Sequence, residues 1–128
     1  MQHVLLIACG GMLGALSRYA LSKYIGQSVN DIFPWGTLVI NLSGSLLIGI
    51  FFELFDRALI PADLRSLVTI GFLGAYTTFS TYSLETVTLL REGEIKLCLA
   101  NVVLSNVLGI ALVVLGMNAT RIAIKLAR

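Results

Sequence analysis

The nine basic and seven acidic residues of this 128-residue chain leave four stretches without any charge: residues 1–17, 32–52, 66–84 and 97–120. Each stretch is 17 to 24 residues long, which at about 1.5 Å per helical residue matches the hydrocarbon thickness of a bilayer. None alternates apolar and polar residues with the period of a barrel strand. The spacing predicts an all-α membrane protein with four transmembrane helices. Composition agrees, because 12% charged residues is half of the roughly 25% found in soluble domains and cannot solvate a free monomer. Four spans take about 80 residues, so residues 1–128 form one integral membrane domain with short connections. A multidomain enzyme is excluded.

The helices are expected over residues 4–25, 36–56, 62–90 and 95–125. Nothing basic precedes Arg18 and three further spans follow, so the first window reads as a retained helix rather than a secretory signal. Gly26, Ser28, Asn30, Asp31 and Pro34 make the first connection a turn, and Trp35 suits the membrane interface. Pro61 fits the first turn of the third helix, and Gly93 is the stop signal before the fourth. Cys9 and Cys98 lie inside apolar windows without metal or redox spacing, and read as reduced packing residues.

Orientation follows the loop bias of Lys and Arg. With four spans, Arg57, Arg65, Arg121, Lys125 and Arg128 fall on one side, against Lys23, Arg91, Lys96 and a snorkelling Arg18 on the other. So even a distribution allows insertion both ways, and hence an antiparallel homodimer with its two-fold axis in the membrane plane; a single orientation set by the basic end of the chain is the alternative. No basic cluster of the kind that binds nucleic acid is present.

The third window is the least ordinary. Gly71-Phe-Leu-Gly74-Ala-Tyr-Thr77-Thr78-Phe79-Ser80-Thr81-Tyr82-Ser83 places five hydroxyl residues after two glycines. Glycine and β-branched threonine are weak helix formers, and hydroxyls offer the backbone competing bonds. An interruption near residues 74–78 is expected. Non-helical backbone at membrane depth persists only where protein, a cavity or an ion satisfies it, and broken helices accordingly mark ion sites; a Ser/Thr-rich packing face is the plainer reading. Asn41, the one amide in its window, serves either as interhelical glue or as a donor to a permeating solute. Asn101, Ser105, Gly109 and Gly116 share one helical stripe, either a polar track or a close-packing face. Gly10 and Gly14 form a small-xxx-small contact pattern. Arg18, well inside its span, either raises the local positive potential or snorkels. Glu53 reads as an ordinary interfacial carboxylate. His3 is the only histidine, and no nucleophile, base and orienting group are arranged for catalysis. No enzyme is expected.

The helix-3 run from Gly71 to Ser83 resembles the third-helix signature of the Fluc (CrcB) family of bacterial fluoride channels, Gly-x-x-Gly-x-x-Thr-Thr-Phe-Ser-Thr-Phe-Ser. Gly36-Thr37-Leu-Val-Ile-Asn41-Leu is similar to that family's second-helix motif, and the Gly-Gly-x-x-Gly-x-x-x-Arg pattern ending at Arg18 to its first. The resemblance implies an antiparallel dimer of four-helix subunits in the bacterial inner membrane, passing fluoride passively through two pores and so lowering its cytoplasmic toxicity. It also implies a structural, non-permeating Na⁺ on the two-fold axis, held by the backbone carbonyls of Gly74 and Thr77. Phe79 and Tyr82 then line the pore with ring edges, Asn41 with its amide, Ser80 and Thr81 with hydroxyls, and Ser105 continues the track on helix 4. Arg18 supplies the vestibule potential. The chain departs from the pattern at Tyr82, where the family has Phe, at Ala75, where Gly is frequent, and at Gly109 and Val113, where some members carry hydroxyls.

Two rival functions remain from the sequence. A proton-coupled small multidrug exporter is also a dual-topology four-helix dimer, but it needs a membrane-embedded Glu in helix 1, and residues 1–25 contain no carboxylate. A non-transporting assembly subunit would use the same small and polar residues for packing alone.

Overall fold

The computed structural model describes residues 2–29 and 31–127; the expected turn residue Asn30 and the basic Arg128 lie outside the described residues. The described chain is all-helical. Helix α1 is Gln2–Ser28 and α2 is Trp35–Asp56. Helix α3, residues 66–76, is π-helical over Ser66–Leu73 and ends in the α-turn Gly74–Tyr76. Helix α4 is Phe79–Arg91, and α5, Ile95–Leu126, contains a π-turn at Leu104–Leu108.

Local chemistry explains where these elements start and stop. Helix α1 runs through Gly26, past the expected end at residue 25, and the Ser28 hydroxyl closes its last turn onto the Tyr24 carbonyl at 2.9 Å. A single glycine weakens a helix by only about 1 kcal/mol, so it did not stop this one. Asp31 organises the start of α2: its carboxylate accepts from the Trp35 indole at 2.9 Å and from the Phe33 amide at 3.4 Å. Those two bonds hold the Asp31 carboxyl below the usual carboxylate range, and Trp35 itself becomes the first residue of α2. Pro61 begins a turn rather than a helix, since Leu64 and Arg65 bond back three residues to the Pro61 and Ala62 carbonyls. Helical backbone therefore starts at Leu64, two residues later than residue 62, and becomes π-helical from Ser66. Gly93, at φ 83°, stops α4, with the Glu94 amide reaching the Leu89 carbonyl at 2.9 Å; only glycine adopts that conformation without penalty.

Two glycine-lined crossings hold the bundle together. On α1, a Cβ at Gly10 would strike the Leu67 carbonyl oxygen, and one at Gly14 the Phe72 carbonyl oxygen. Helices α1 and α3 thus approach backbone to backbone, as the small-xxx-small spacing predicts. On the other side, a Cβ at Gly49 would strike the Val113 carbonyl oxygen and one at Gly116 would come within 2.5 Å of that of Leu46, which fixes α2 against α5. Gly116 therefore belongs to a packing face. Gly14→Ala is expected to lower stability by about 1–3 kcal/mol, the range for overpacking a tight contact. The measurement is the thermal midpoint in detergent, and an unchanged midpoint would contradict so close a crossing.

The core is small, and large apolar side chains such as Val4, Leu16, Ile70 and Ile110 face outward, as lipid contact requires. Among the described residues, three helices are long and apolar enough to cross a membrane: Gln2–Ser28, Trp35–Asp56 and Ile95–Leu126. The third window instead holds the pair α3 and α4. At 13 residues, α4 rises only about 20 Å, short of the hydrocarbon core on its own. Glu53 is 2% exposed and is paired, not solvated: Arg57 Nε lies 2.6 Å and Arg121 Nε 3.1 Å from Oε1. This bridge joins α2 to the far end of α5.

Candidate functional site

The helix breaks at Thr77 and Thr78, which are both extended (φ −80°, ψ 157° and φ −147°, ψ 116°). Gly74 to Tyr76 stay helical, so the interruption is narrower than residues 74–78 and falls on the β-branched pair. Threonine fits an extended backbone better than a helix. What stabilises the break is an amide from another helix. Asn41 Oδ1 accepts from the Thr78 N–H at 2.8 Å, while Asn41 Nδ2 donates to the Thr78 carbonyl at 3.0 Å. One side chain thereby satisfies both backbone groups of the residue that leaves the helix.

The same bonds decide which carbonyls are released. In a continuous helix the Gly74 carbonyl would accept from Thr78 N and the Thr77 carbonyl from Thr81 N. Thr78 N is taken by Asn41, and Thr81 N turns to the Thr78 hydroxyl at 3.3 Å, the N-cap of α4. The Leu73 carbonyl, by contrast, stays occupied by Thr77 N (3.0 Å) and Thr77 Oγ1 (2.9 Å). Facing each other across the break are thus a helix C-terminus with free carbonyls and a helix N-terminus with free amides, the negative and positive ends of two helix dipoles.

One face of α2 supports this arrangement. Thr37, Asn41 and Gly44 follow at helical spacing. The Thr37 hydroxyl donates to Glu85 Oε1 on α4 at 2.8 Å, and Gly44 leaves room for the Thr77 methyl, which a Cβ there would strike. One residue along, the Ser43 and Tyr76 hydroxyls meet at 2.8 Å and anchor the end of α3. The i, i+4, i+7 spacing of these three residues is the sequence signal for that supporting face.

A groove of about 380 Å³ opens beside the break and brings together Asn41, Gly74, Thr77, Phe79, Tyr82 and Ser105. Phe79 is 78% exposed, and its ring centroid lies 5.6 Å from that of Tyr82, tilted by 47°. The Ser105 hydroxyl leans on Asn101 Oδ1 at 3.4 Å. Asn101, 1% exposed, donates to the Thr86 hydroxyl at 2.9 Å, so it ties α5 to α4 away from the groove. Arg18 and Thr81 sit elsewhere, in a hollow of about 240 Å³ that also touches Thr37 and Thr78. Thr78 borders both spaces. Ser80 lines neither of them and is exposed, its hydroxyl 3.5 Å from that of Thr78. Polar groove residues without a role assigned from the sequence are Ser45, Thr69 and Asn106. A regular α-helix would turn Asn106 away from the face that carries Ser105.

Among the described residues no three His, Cys, Asp or Glu side chains come together to hold a metal. The donors that the break offers are carbonyl oxygens, amides and hydroxyls.

Comparison with known proteins converges on one family. Residues 5–117 match the profile of the CrcB-like protein, Camphor Resistance (CrcB) family. The chain is 44% identical over 117 residues to the fluoride-specific ion channel FluC of Magnetococcus marinus, covering 91% of this chain and 95% of the relative. It is 50% identical over 106 residues to the protein of the same name from Rhodospirillum rubrum, covering 80% and 82%. With that of Salinibacter ruber it shares 48% over 116 residues, covering 91% and 87%. A family match over residues 5–117, with relatives 44% and 50% identical over most of the chain, establishes that the chain belongs to the CrcB-like family.

Proposed function

We propose that this chain is the subunit of a fluoride-specific channel of the bacterial inner membrane, exporting fluoride passively and so limiting its toxicity. The observation that carries the reading is the groove itself. It gathers two amides, hydroxyls and two aromatic rings without a lysine or arginine among its lining residues. Ring edges carry the positive end of the aromatic quadrupole. Together with N–H and O–H donors they replace part of the hydration shell of a small, strongly hydrated anion. A fixed cation would trap the ion, whereas conduction needs weak binding at several sites. Arg18, in the neighbouring hollow, raises the potential outside the groove. The exporter alternative lacks its coupling carboxylate, since α1 contains no acidic residue.

The groove is open along the surface of one subunit, with Phe79 largely uncovered, and an ion path open to lipid would be costly. A second, antiparallel copy closes it, in keeping with basic residues divided five against four between the faces. In this assembly α3 and α4 together make the fourth crossing of a multi-pass subunit. The free carbonyls at the break fit a hard cation held by oxygen dipoles alone. Gly74 and Thr77 of each copy would hold the structural Na⁺ at the two-fold axis, where it would neutralise the converging C-terminal ends of α3.

Anion efflux from proteoliposomes tests the function. Fluoride should leave rapidly while chloride does not, and absent fluoride flux or equal chloride flux would overturn the reading. Replacing Na⁺ by a bulky organic cation is expected to slow fluoride flux and shift the dimer toward monomer in size-exclusion chromatography. Indifference to Na⁺ would remove the ion from the scheme and leave the channel standing.

A further inference from the structure

We infer that the Tyr82 hydroxyl is an anion-facing hydrogen-bond donor of the groove and that Asn106 is the residue that aims it; the inference rests on the channel reading above. Asn106 Nδ2 lies 3.1 Å from the Tyr82 hydroxyl and 2.8 Å from the Val102 carbonyl. The Val102 contact fixes which end of the amide is which, because turning it over would set two carbonyl oxygens against each other. Asn106 therefore presents N–H to Tyr82 and never a lone pair. A phenol has one proton to give and lone pairs to receive. With Asn106 occupying a lone pair, the Tyr82 proton must be given elsewhere, and no other hydrogen bond of this hydroxyl forms among the described residues.

The fold holds the phenol in that attitude from both ends. Its backbone carbonyl accepts from the Thr86 hydroxyl at 2.7 Å, and Thr86 is itself held by Asn101. On α5 the π-turn Leu104–Leu108 widens the helix, so that the consecutive residues Ser105 and Asn106 both reach the groove. Such turns often accompany functional positions. A donated bond from Asn106 also polarises the phenol and strengthens the bond that its own proton makes. The ligand favoured is a compact anion of high charge density, fluoride rather than chloride, because an O–H donor at short range rewards small radius. Where phenylalanine would offer only a ring edge, this chain adds a proton donor.

The test combines flux with a direct probe of the phenol. Tyr82→Phe is expected to lower fluoride efflux about fivefold, within the range of the net contribution of one hydrogen bond, with the dimer intact by size-exclusion chromatography. Asn106→Leu should lower it by a similar factor, and in the Tyr82→Phe background it should change nothing further. Wild-type flux in Tyr82→Phe, or an undiminished effect of Asn106→Leu in that background, would overturn the inference. In protein labelled with [¹³Cζ]-tyrosine, the resonance lost in Tyr82→Phe should move on addition of sodium fluoride but not sodium chloride, and move less in Asn106→Leu. A resonance that ignores fluoride overturns the donor role even if the channel conducts. A resonance that moves while wild-type vesicles pass no fluoride would instead overturn the channel reading and leave Tyr82 as a fluoride contact.

Discussion

Asn41→Leu should abolish measurable fluoride flux and destabilise the fold by about 1–3 kcal/mol, the larger part of it from orphaning the Thr78 N–H, since the Thr78 carbonyl keeps its place as the N-cap acceptor of α4. Interhelical bonds between side chains in membranes average less, because the unfolded chain in lipid finds other partners. The Thr78 groups are different in kind. Their ready alternative is the helix itself, with Thr78 N–H closing onto the Gly74 carbonyl. That repair would fuse α3 and α4, and it is opposed by the contacts that place α4: Thr37 to Glu85 at 2.8 Å and Asn101 to Thr86 at 2.9 Å. Either outcome removes the site. An orphaned break loses its geometry, and a healed one re-engages the Gly74 carbonyl and withdraws a ligand from the proposed Na⁺. Asn41→Asp keeps the acceptor for Thr78 N–H and loses the donor to the Thr78 carbonyl, so its stability should fall between the two. The readouts are efflux and the thermal midpoint in detergent. Normal flux in Asn41→Leu would show that the break stands without this amide.

How far the fold could be read in advance depended on whether its determinants were local. The charge-free windows located the membrane segments, since a charge in hydrocarbon is costly wherever it sits in the chain. The glycine patterns announced close crossings because the missing Cβ is a property of the residue itself. The interruption of helix 3 was legible as well, from weak helix formers crowded together. Its position at Thr77 and Thr78 was not, because Asn41, 37 positions away in sequence, selects which peptide leaves the helix. The same holds for Glu53, whose acid was visible but whose partner Arg121 lies 68 positions away. Asn106 was missed for a subtler reason. Its approach to Tyr82 needs the π-turn in α5, and nothing in Leu104-Ser-Asn-Val-Leu108 signals one.

The resemblance to a channel family supplied roles that residue types alone leave open, and the structure sorts them by place. Asn41, Phe79, Tyr82 and Ser105 share one groove with Gly74 and Thr77, whereas Arg18 and Thr81 share another hollow. A donor set divided in this way suits an ion that approaches through a positive region and then crosses on uncharged donors. Thr78, whose backbone Asn41 holds, borders both spaces.

Phe79→Ile separates the chemistry of the ring from its bulk. Isoleucine keeps an apolar side chain of comparable reach but has no quadrupole, hence no positive edge to turn toward an anion. Because Phe79 is 78% exposed in the subunit, its removal leaves no cavity in the subunit core, and the stability of the subunit fold itself should change by no more than about 0.5 kcal/mol, as for other exposed positions. Fluoride efflux should nonetheless fall about tenfold or more, equivalent to about 1.4 kcal/mol or more in the barrier. Phe79→Tyr, which keeps the edge and adds a hydroxyl, should retain flux. If Phe79→Ile conducts at the wild-type rate, the ring is a wall and the anion crosses on Asn41, Tyr82 and Ser105 alone. If the dimer dissociates, the ring serves the contact between copies, and loss of flux would then follow from loss of the enclosed path.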